Sequence, residues 1–174
     1  MFRVAGKKIQ KIGQFPSLAD ISTPELNQYR KVLGGQRLTE MKKATGLMSH
    51  GVGIGAFVYL RRIFESILWE HRKQLEEGGQ KIEGFDTKRM DEKIEALKDT
   101  LPPFLVQNRH VYGILSKGLH ELSEEECKTY FPAVYKGILM ILRQDEERRR
   151  RSEEEKEAAV ALQQISSQLA AKAK

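Results

Sequence analysis

What the chain lacks narrows its chemistry first. It has a single cysteine, Cys127, so no disulfide can close within it and no site can draw two thiolates from it. Zinc ribbons and C-x-x-C redox chemistry are thereby excluded. It has no apolar run near the roughly 18–20 residues that a membrane-spanning helix needs. The longest, Val52 to Leu60, is interrupted by Gly53 and Gly55 and runs into Arg61 and Arg62. Met1 to Lys11 has lysines but no apolar stretch ahead of a small-residue cleavage site, so it does not read as a signal peptide, and a cytoplasmic protein is expected. The glycines of His50-Gly51-Val52-Gly53-Ile54-Gly55 form neither G-x-G-x-x-G after a strand nor G-x-x-x-x-G-K-[ST]. A glycine-rich turn at a helix N-terminus can hold an anion on free N–H groups, but a close helix–helix corner is the better reading here. His50, His71, His110, His120, Cys127 and the acids Glu124 to Glu126 show no H-x-x-x-H or H-E-x-x-H spacing, so neither metal nor cofactor is expected.

What is present suits one helix-rich domain. In 174 residues, 40% are hydrophobic and 31% charged, enough for one core with a polar extension. Charge is divided unevenly: residues 1–50 hold nine basic and three acidic side chains, whereas residues 51–174 hold 21 of each sign. The whole net charge of +6 therefore lies in the first fifty residues. Lys7, Lys8, Lys11, Arg37, Lys42 and Lys43 are the candidates for attracting a phosphate backbone, without sequence preference; a solvated basic face is the competing reading.

Residues 1–22 lack helical periodicity and read as an arm or loop that docks through Phe15, Leu18 and Ile21. Thr23-Pro24-Glu25 has the form of a helix start and Gly34-Gly35 of a stop, giving a short helix at about 24–33. A second helix at about 36–48 carries Leu38, Met41, Thr45 and Met48. From Ile54 to Glu77 the apolar positions follow the three-four rhythm of a central amphipathic helix, ended by Gly78-Gly79. Asp86 or Thr87 can cap the next helix, on which Met90, Ile94, Leu97 and Leu101 are spaced four, three and four apart. Pro102-Pro103 restarts the chain for a helix at about 103–119. Ser123-Glu124-Glu125-Glu126 has the capping-box form, Pro132 falls near a helix boundary, and Ile138 to Leu142 begin the last long helix.

Residues 143–157 contain six basic and seven acidic side chains, so the arginine run is already balanced. Asp145 with Arg149, Glu146 with Arg150 and Glu147 with Arg151 are the expected i,i+4 pairs of a self-supporting exposed helix. Beyond it, Ala158, Leu162, Ile165 and Leu169 form an apolar seam long enough to dock on a partner.

The stretch from Asn108 to Ser123 is the densest in potential chemistry, mixing Arg109, His110, Tyr112, Ser116, Lys117 and His120 with apolar residues. On a helix Arg109, Tyr112 and Ser116 share a face. A cation beside a neutral imidazole can orient and deprotonate a ribose hydroxyl while stabilising a phosphorane. The structural alternative makes Arg109 an ion-pair partner of Glu65 or Glu95 and His120 a residue favoured at a helix C-terminus. Cys127, one turn into a capped helix, reads as a small buried thiol.

Tyr59-Leu60-Arg61-Arg62-Ile63-Phe64-Glu65, then Arg89-Met90-Asp91-Glu92-Lys93-Ile94, then Tyr112 to Glu121, taken in that order, resemble bacterial HEPN-like helical domains over roughly residues 52–142. The resemblance implies a compact bundle of four or five helices, often dimeric and frequent in antiviral defence, whose active members are metal-independent ribonucleases. Their motif places a histidine four to six positions after an arginine. Here Gly113-Ile114-Leu115 follow Arg109 at that distance, and the next histidine after His110 is His120.

The expected fold is all-α: a basic N-terminal arm with short helices over 1–50, a HEPN-like bundle over 51–142, and a charged helical extension over 143–174. The leading functional expectation is a non-catalytic interaction module in antiviral defence that engages RNA, DNA or a protein, as a homodimer or as a subunit of a larger complex, without a membrane partner. The alternatives are a ribonuclease using Arg109 and His120, with Tyr112 and Lys117 beside them, and a structural subunit that docks through its tail.

Overall fold

The computed structural model describes residues 1–11, 13–16, 21, 26–27 and 30–172, with the side chains of residues 11, 32, 33 and 169–172 excepted. The architecture is all-α. Among the described residues six helices follow a two-stranded hairpin: β1 (Phe2–Ala5), β2 (Lys8–Lys11), α1 (Arg30–Ser49), α2 (Gly53–Glu77), α3 (Met90–Ala96), α4 (Pro103–Gln107), α5 (His110–His120) and α6 (Glu124–Lys172), with a 3-10 turn at Phe85–Thr87. Among the described residues no helix is long and apolar enough to cross a membrane.

One core joins α1 to the other helices. Leu38, Met41 and Ala44 of α1 meet Phe57, Leu60, Phe64 and Ile67 of α2, Leu115 of α5, and Ile138, Ile141 and Leu142 of α6. Ion pairs flank the α1–α2 packing: Arg62 meets the buried Glu40 at 2.8 Å, and Arg37 meets Glu70 at 2.6 Å and donates to the Ser66 carbonyl at 2.7 Å. Gly118 of α5 lies against Phe57, where a Cβ would collide with the ring, so only glycine allows α5 and α2 to approach this closely.

The corner between α1 and α2 shows why its glycines are there. The backbone N–H groups of Gly53 and Ile54, orphaned at the start of α2, donate to Glu124 Oε2 at 2.5 and 3.0 Å. A Cβ at Gly53 would stand 2.8 Å from Cys127 Cβ and 2.9 Å from the Glu124 carbonyl. The anion at this glycine-rich helix start is thus the chain's own carboxylate. Glu124 sits in the first turn of α6, which is held by the expected capping box: Ser123 Oγ accepts from Glu126 N at 3.3 Å, and Ser123 N donates to the Glu126 carboxylate at 2.8 Å. The bond from Ser123 N, with one that Ser123 Oγ donates to the same carboxylate at 2.7 Å, lowers the Glu126 pKa.

Several elements differ from the sequence reading. The start is a hairpin with register Phe2↔Lys11 and Val4↔Ile9, turned by Gly6-Lys7 with Gly6 at φ 58. That glycine followed by a residue of negative φ is the pattern of a type II′ turn. Phe15 and Ile21 do not dock: Phe15 is 93% exposed, and the Met1 ammonium instead closes the arm on itself by donating to the Gly13 carbonyl at 2.7 Å. Leu18 and the proposed helix start at Thr23 to Glu25 lie outside the described residues. The expected stop at Gly34 is present: at φ 63 and ψ 173 it is non-helical and separates two helical stretches within Arg30–Ser49. Thr87 turns back on the Gly84 carbonyl, and α3 instead starts at Arg89, whose N–H is taken by Glu92. The helix expected at 103–119 is two: Asn108 leaves helical geometry at φ −112 and ψ 35, and its side-chain amide donates to the Phe104 carbonyl at the end of α4. Pro132 is no boundary but lies inside α6. Its ring is on the solvent side, and burial of Phe131 and Val134 beside it outweighs the roughly 3 kcal/mol that an interior proline costs.

Glu124→Ala is expected to lower unfolding stability by about 1–2 kcal/mol, the range for losing a helix N-terminal cap, in urea denaturation followed by circular dichroism. Glu124→Gln, which keeps an acceptor, should recover part of it.

Candidate functional site

The three segments that carry the family resemblance meet at one place. Arg61 and Glu65, four apart on α2, point from one face toward α5, where Tyr112 completes a closed triangle. Arg61 Nε donates to Glu65 at 2.9 Å, Arg61 also donates to the Tyr112 hydroxyl at 2.8 Å, and that hydroxyl donates to Glu65 at 3.0 Å. Met90 and Lys93 of α3 line the adjoining cavity of about 230 Å³ with Leu68, Trp69 and Phe85.

The electrostatics of this triangle hold groups in their resting states. Burial, reinforced by the bond to Glu65, raises the Tyr112 pKa, so the phenol stays protonated and is no base. The Glu65 bond likewise raises the Arg61 pKa. The ring faces around the cavity are occupied by the chain's own cations: Arg61 over Tyr112 at 5.2 Å, Arg72 over Trp69 and Phe85 at 5.0 and 4.7 Å, and Lys93 over Phe85 at 5.5 Å. Arg72 is itself fixed by Glu76 and Asp86 at 2.8 and 2.6 Å. Such an arrangement locks α2, α3 and α5 together.

A second polar cluster joins α2 to α6. His71, 7% exposed, shares a hydrogen bond of 2.8 Å with Asp145 through Nε2, and its Nδ1 is buried without a partner among the described residues. The cleft beside it, about 520 Å³, is lined by polar side chains alone, including Gln74, Asp99, Thr100, Arg149 and Lys156. Arg148 donates to the carbonyls of Leu101 and Asp99 at 2.6 and 2.9 Å, anchoring α6 to the turn before α4. Among the described residues no group of three or more metal-binding side chains gathers anywhere.

The structure separates the proposed nuclease pair. Arg109 precedes α5 and His120 ends it, so about eleven residues at 1.5 Å each hold them some 16 Å apart along one axis. Within one chain they do not share a cleft. Arg109 lies 3.9 Å from Glu95, an exposed pair, and Lys117 lies 3.8 Å from Glu121. Of the basic candidates, Lys7 and Lys8 are exposed on the hairpin, Lys42 is half-buried, Lys43 sits 5.6 Å from the Tyr59 ring, and Arg37, 12% exposed, is held by Glu70. Lys11 has a placed backbone at the end of β2. Cys127 is fully buried and burial pushes its thiol pKa up, which leaves it a packing residue.

On the tail, Ala158, Leu162 and Ile165 are all exposed, Leu162 at 67%, and Leu169 belongs to the same helix. The arginine pairs run opposite to expectation. Arg149, Arg150 and Arg151 reach forward to Glu153, Glu154 and Glu155 at 3.9, 3.7 and 2.9 Å, while Asp145 is taken by His71. Sequence reasoning missed the Glu124 cap, the Tyr112 triangle and the His71–Asp145 pair, all of which join residues at least 47 positions apart. The glycine-rich corner was the one local signal, marking where an anion was needed.

Tyr112→Phe is expected to cost about 1 kcal/mol, because Arg61 and Glu65 keep each other when the hydroxyl is gone. Since the folded Tyr112 pKa lies above its ordinary 10.0, its contribution is complete below that value and lost as pH rises through the folded one. The difference in denaturation midpoint between wild type and Tyr112→Phe should therefore narrow above pH 10. In comparisons with protein-family models, curated proteins and solved structures, the chain matches none.

Proposed function

We propose that this chain is a non-catalytic, HEPN-like interaction module that presents the distal half of α6 to a protein partner, in the antiviral-defence setting that the resemblance implies. The observation that carries the reading is the exposure of every residue from Glu147 to Gln168, with Leu162 and Ile165 of the seam more than half exposed on a helix continuous with the bundle. An apolar seam left in water over several helical turns marks a surface for association. The separation of Arg109 from His120, and the resting state of Tyr112, support the absence of catalysis.

Protein is favoured over nucleic acid as the tail's partner because residues 158–171 contain no cation to neutralise phosphate. A ribonuclease completed across a two-fold remains the competing reading. Incubation of the purified chain with end-labelled transfer RNA and single-stranded RNA in EDTA separates the two. Intact RNA is the expected result; cleavage by wild type that His120→Ala abolishes would replace the module reading with the ribonuclease. Truncation after Glu157 is expected to leave the urea midpoint of the bundle unchanged, since residues 158–168 are all exposed.

A further inference from the structure

The opening hairpin has nothing to rest on. An isolated two-stranded hairpin is marginal in water and is ordinarily held by a layer packed on one face. Here every residue from Met1 to Gln10 is exposed, so neither face is packed on the bundle. Residues two apart on a strand, and partners across the pair, share a face. With the register Phe2↔Lys11, Val4↔Ile9, Arg3↔Gln10 and Ala5↔Lys8, the residues Phe2, Val4 and Ile9 fall on one face and Arg3, Lys8 and Gln10 on the other. The three apolar side chains are 66%, 69% and 74% exposed.

Charge narrows what can cover this face. Arg3, Lys7, Lys8 and Lys11 stand within the first eleven residues, and the first acid in the chain is Asp20. The counterpart is therefore anionic. A nucleic-acid strand reaches one face at a time: laid on Arg3 and Lys8 it leaves Phe2, Val4 and Ile9 in water, and laid on those three it finds one ring on which to stack a base. A folded protein partner covers about 800 Å² in a stable complex, more than three side chains supply. An anionic lipid surface engages both faces at once. The apolar face sinks roughly 5–10 Å to the acyl boundary, and the long stems of the cations run back to the phosphates.

We propose that the hairpin seats this protein on the surface of an anionic bilayer, with Phe2, Val4 and Ile9 turned into the lipid and Arg3, Lys7 and Lys8 on the headgroup phosphates. The expectation of no membrane partner rested on the lack of a spanning segment, which a surface-seated hairpin does not need. Three apolar side chains and a few cations give binding that is reversible and sensitive to salt.

Cosedimentation of the full chain with vesicles tests it. Vesicles of equal parts phosphatidylglycerol and phosphatidylcholine should carry the protein down at about 0.1 M salt and release most of it at about 0.5 M, and pure phosphatidylcholine should leave it in solution. The double variants Lys7→Glu with Lys8→Glu, and Val4→Ser with Ile9→Ser, should each weaken binding more than about tenfold. Both keep the wild-type urea midpoint, because the hairpin is not packed on the bundle.

A dye reads which face enters the lipid. Cys127 is the chain's one cysteine and is buried, so a thiol-reactive nitrobenzoxadiazole labels only the new thiol of Ile9→Cys or Gln10→Cys. On the phosphatidylglycerol vesicles the dye at position 9 should brighten and shift to the blue, and at position 10 it should stay as in water. A protein left in solution by these vesicles, binding that survives the serine variant, or equal shifts at both positions overturns the proposal. So does retention of single-stranded RNA, lost in the glutamate variant, by a protein that ignores vesicles; the hairpin is then a nucleic-acid arm.

Discussion

Helix ends set the terms of this fold. Each helix leaves backbone donors and acceptors that its own ladder cannot use, and in a bundle some of those ends point inward, away from water. Here α6 supplies the missing partners from its side chains. Glu124 takes the two donors that open α2, Gln144 accepts from Phe104 N at 2.8 Å where α4 opens, and Arg148 serves the carbonyls of Asp99 and Leu101. With Asp145 on His71, one helix makes polar bonds to the start of α2, its C-terminal half, the chain before α4 and the first turn of α4. The apolar core gives the bundle its cohesion, but these bonds decide where each helix begins relative to α6.

The same economy sets the state of the densest polar cluster. In a catalytic constellation, environments push neighbouring groups apart in acidity and leave one of them unpartnered toward a substrate. In the Arg61–Glu65–Tyr112 triangle every side chain answers another, and the shifts hold Arg61 charged and Tyr112 neutral. The aromatic faces beside it are covered by the chain's own cations. The unshared surface of the molecule lies elsewhere, on the distal part of α6 and on the hairpin face formed by Phe2, Val4 and Ile9.

What could be read from the sequence was what depends on short-range pattern. The central helix was expected from Ile54 to Glu77 and runs from Gly53 to Glu77, because its apolar stripe and terminal glycines are both local. The capping box at Ser123 appeared as written, since all its groups lie within four residues. Errors arose where a distant partner changed the local balance. Asp145 faced Arg149 in sequence but meets His71, 74 positions away, and the arginines turned to the glutamates ahead. Pro132 stops a helix by its own chemistry, yet buried neighbours on the same helix hold it through. The opening hairpin was missed although Phe2-Arg3-Val4 alternates and Gly6 suits the turn, because four residues per strand is too short a signal against a lysine-rich background. The site residues were harder still: Arg109 and His120 share a face by helical angle, and only the rise along the axis separates them.

Because α6 passes from bundle to solvent without a break, its projecting part is a lever. Forty-nine residues at 1.5 Å span about 74 Å, and the twenty-four beyond Arg148 reach about 36 Å from the last bond to the bundle. A flexible linker would let a load at the tip swing freely and would average out its direction. A continuous helix fixes both reach and bearing, so a torque at the tip arrives undiminished at Arg148 and Asp145. Whatever the tip grips is thereby held at a set distance from α2, and a pull on it is felt first by the Arg148 bonds to the Leu101 and Asp99 carbonyls and only then by the His71 bond.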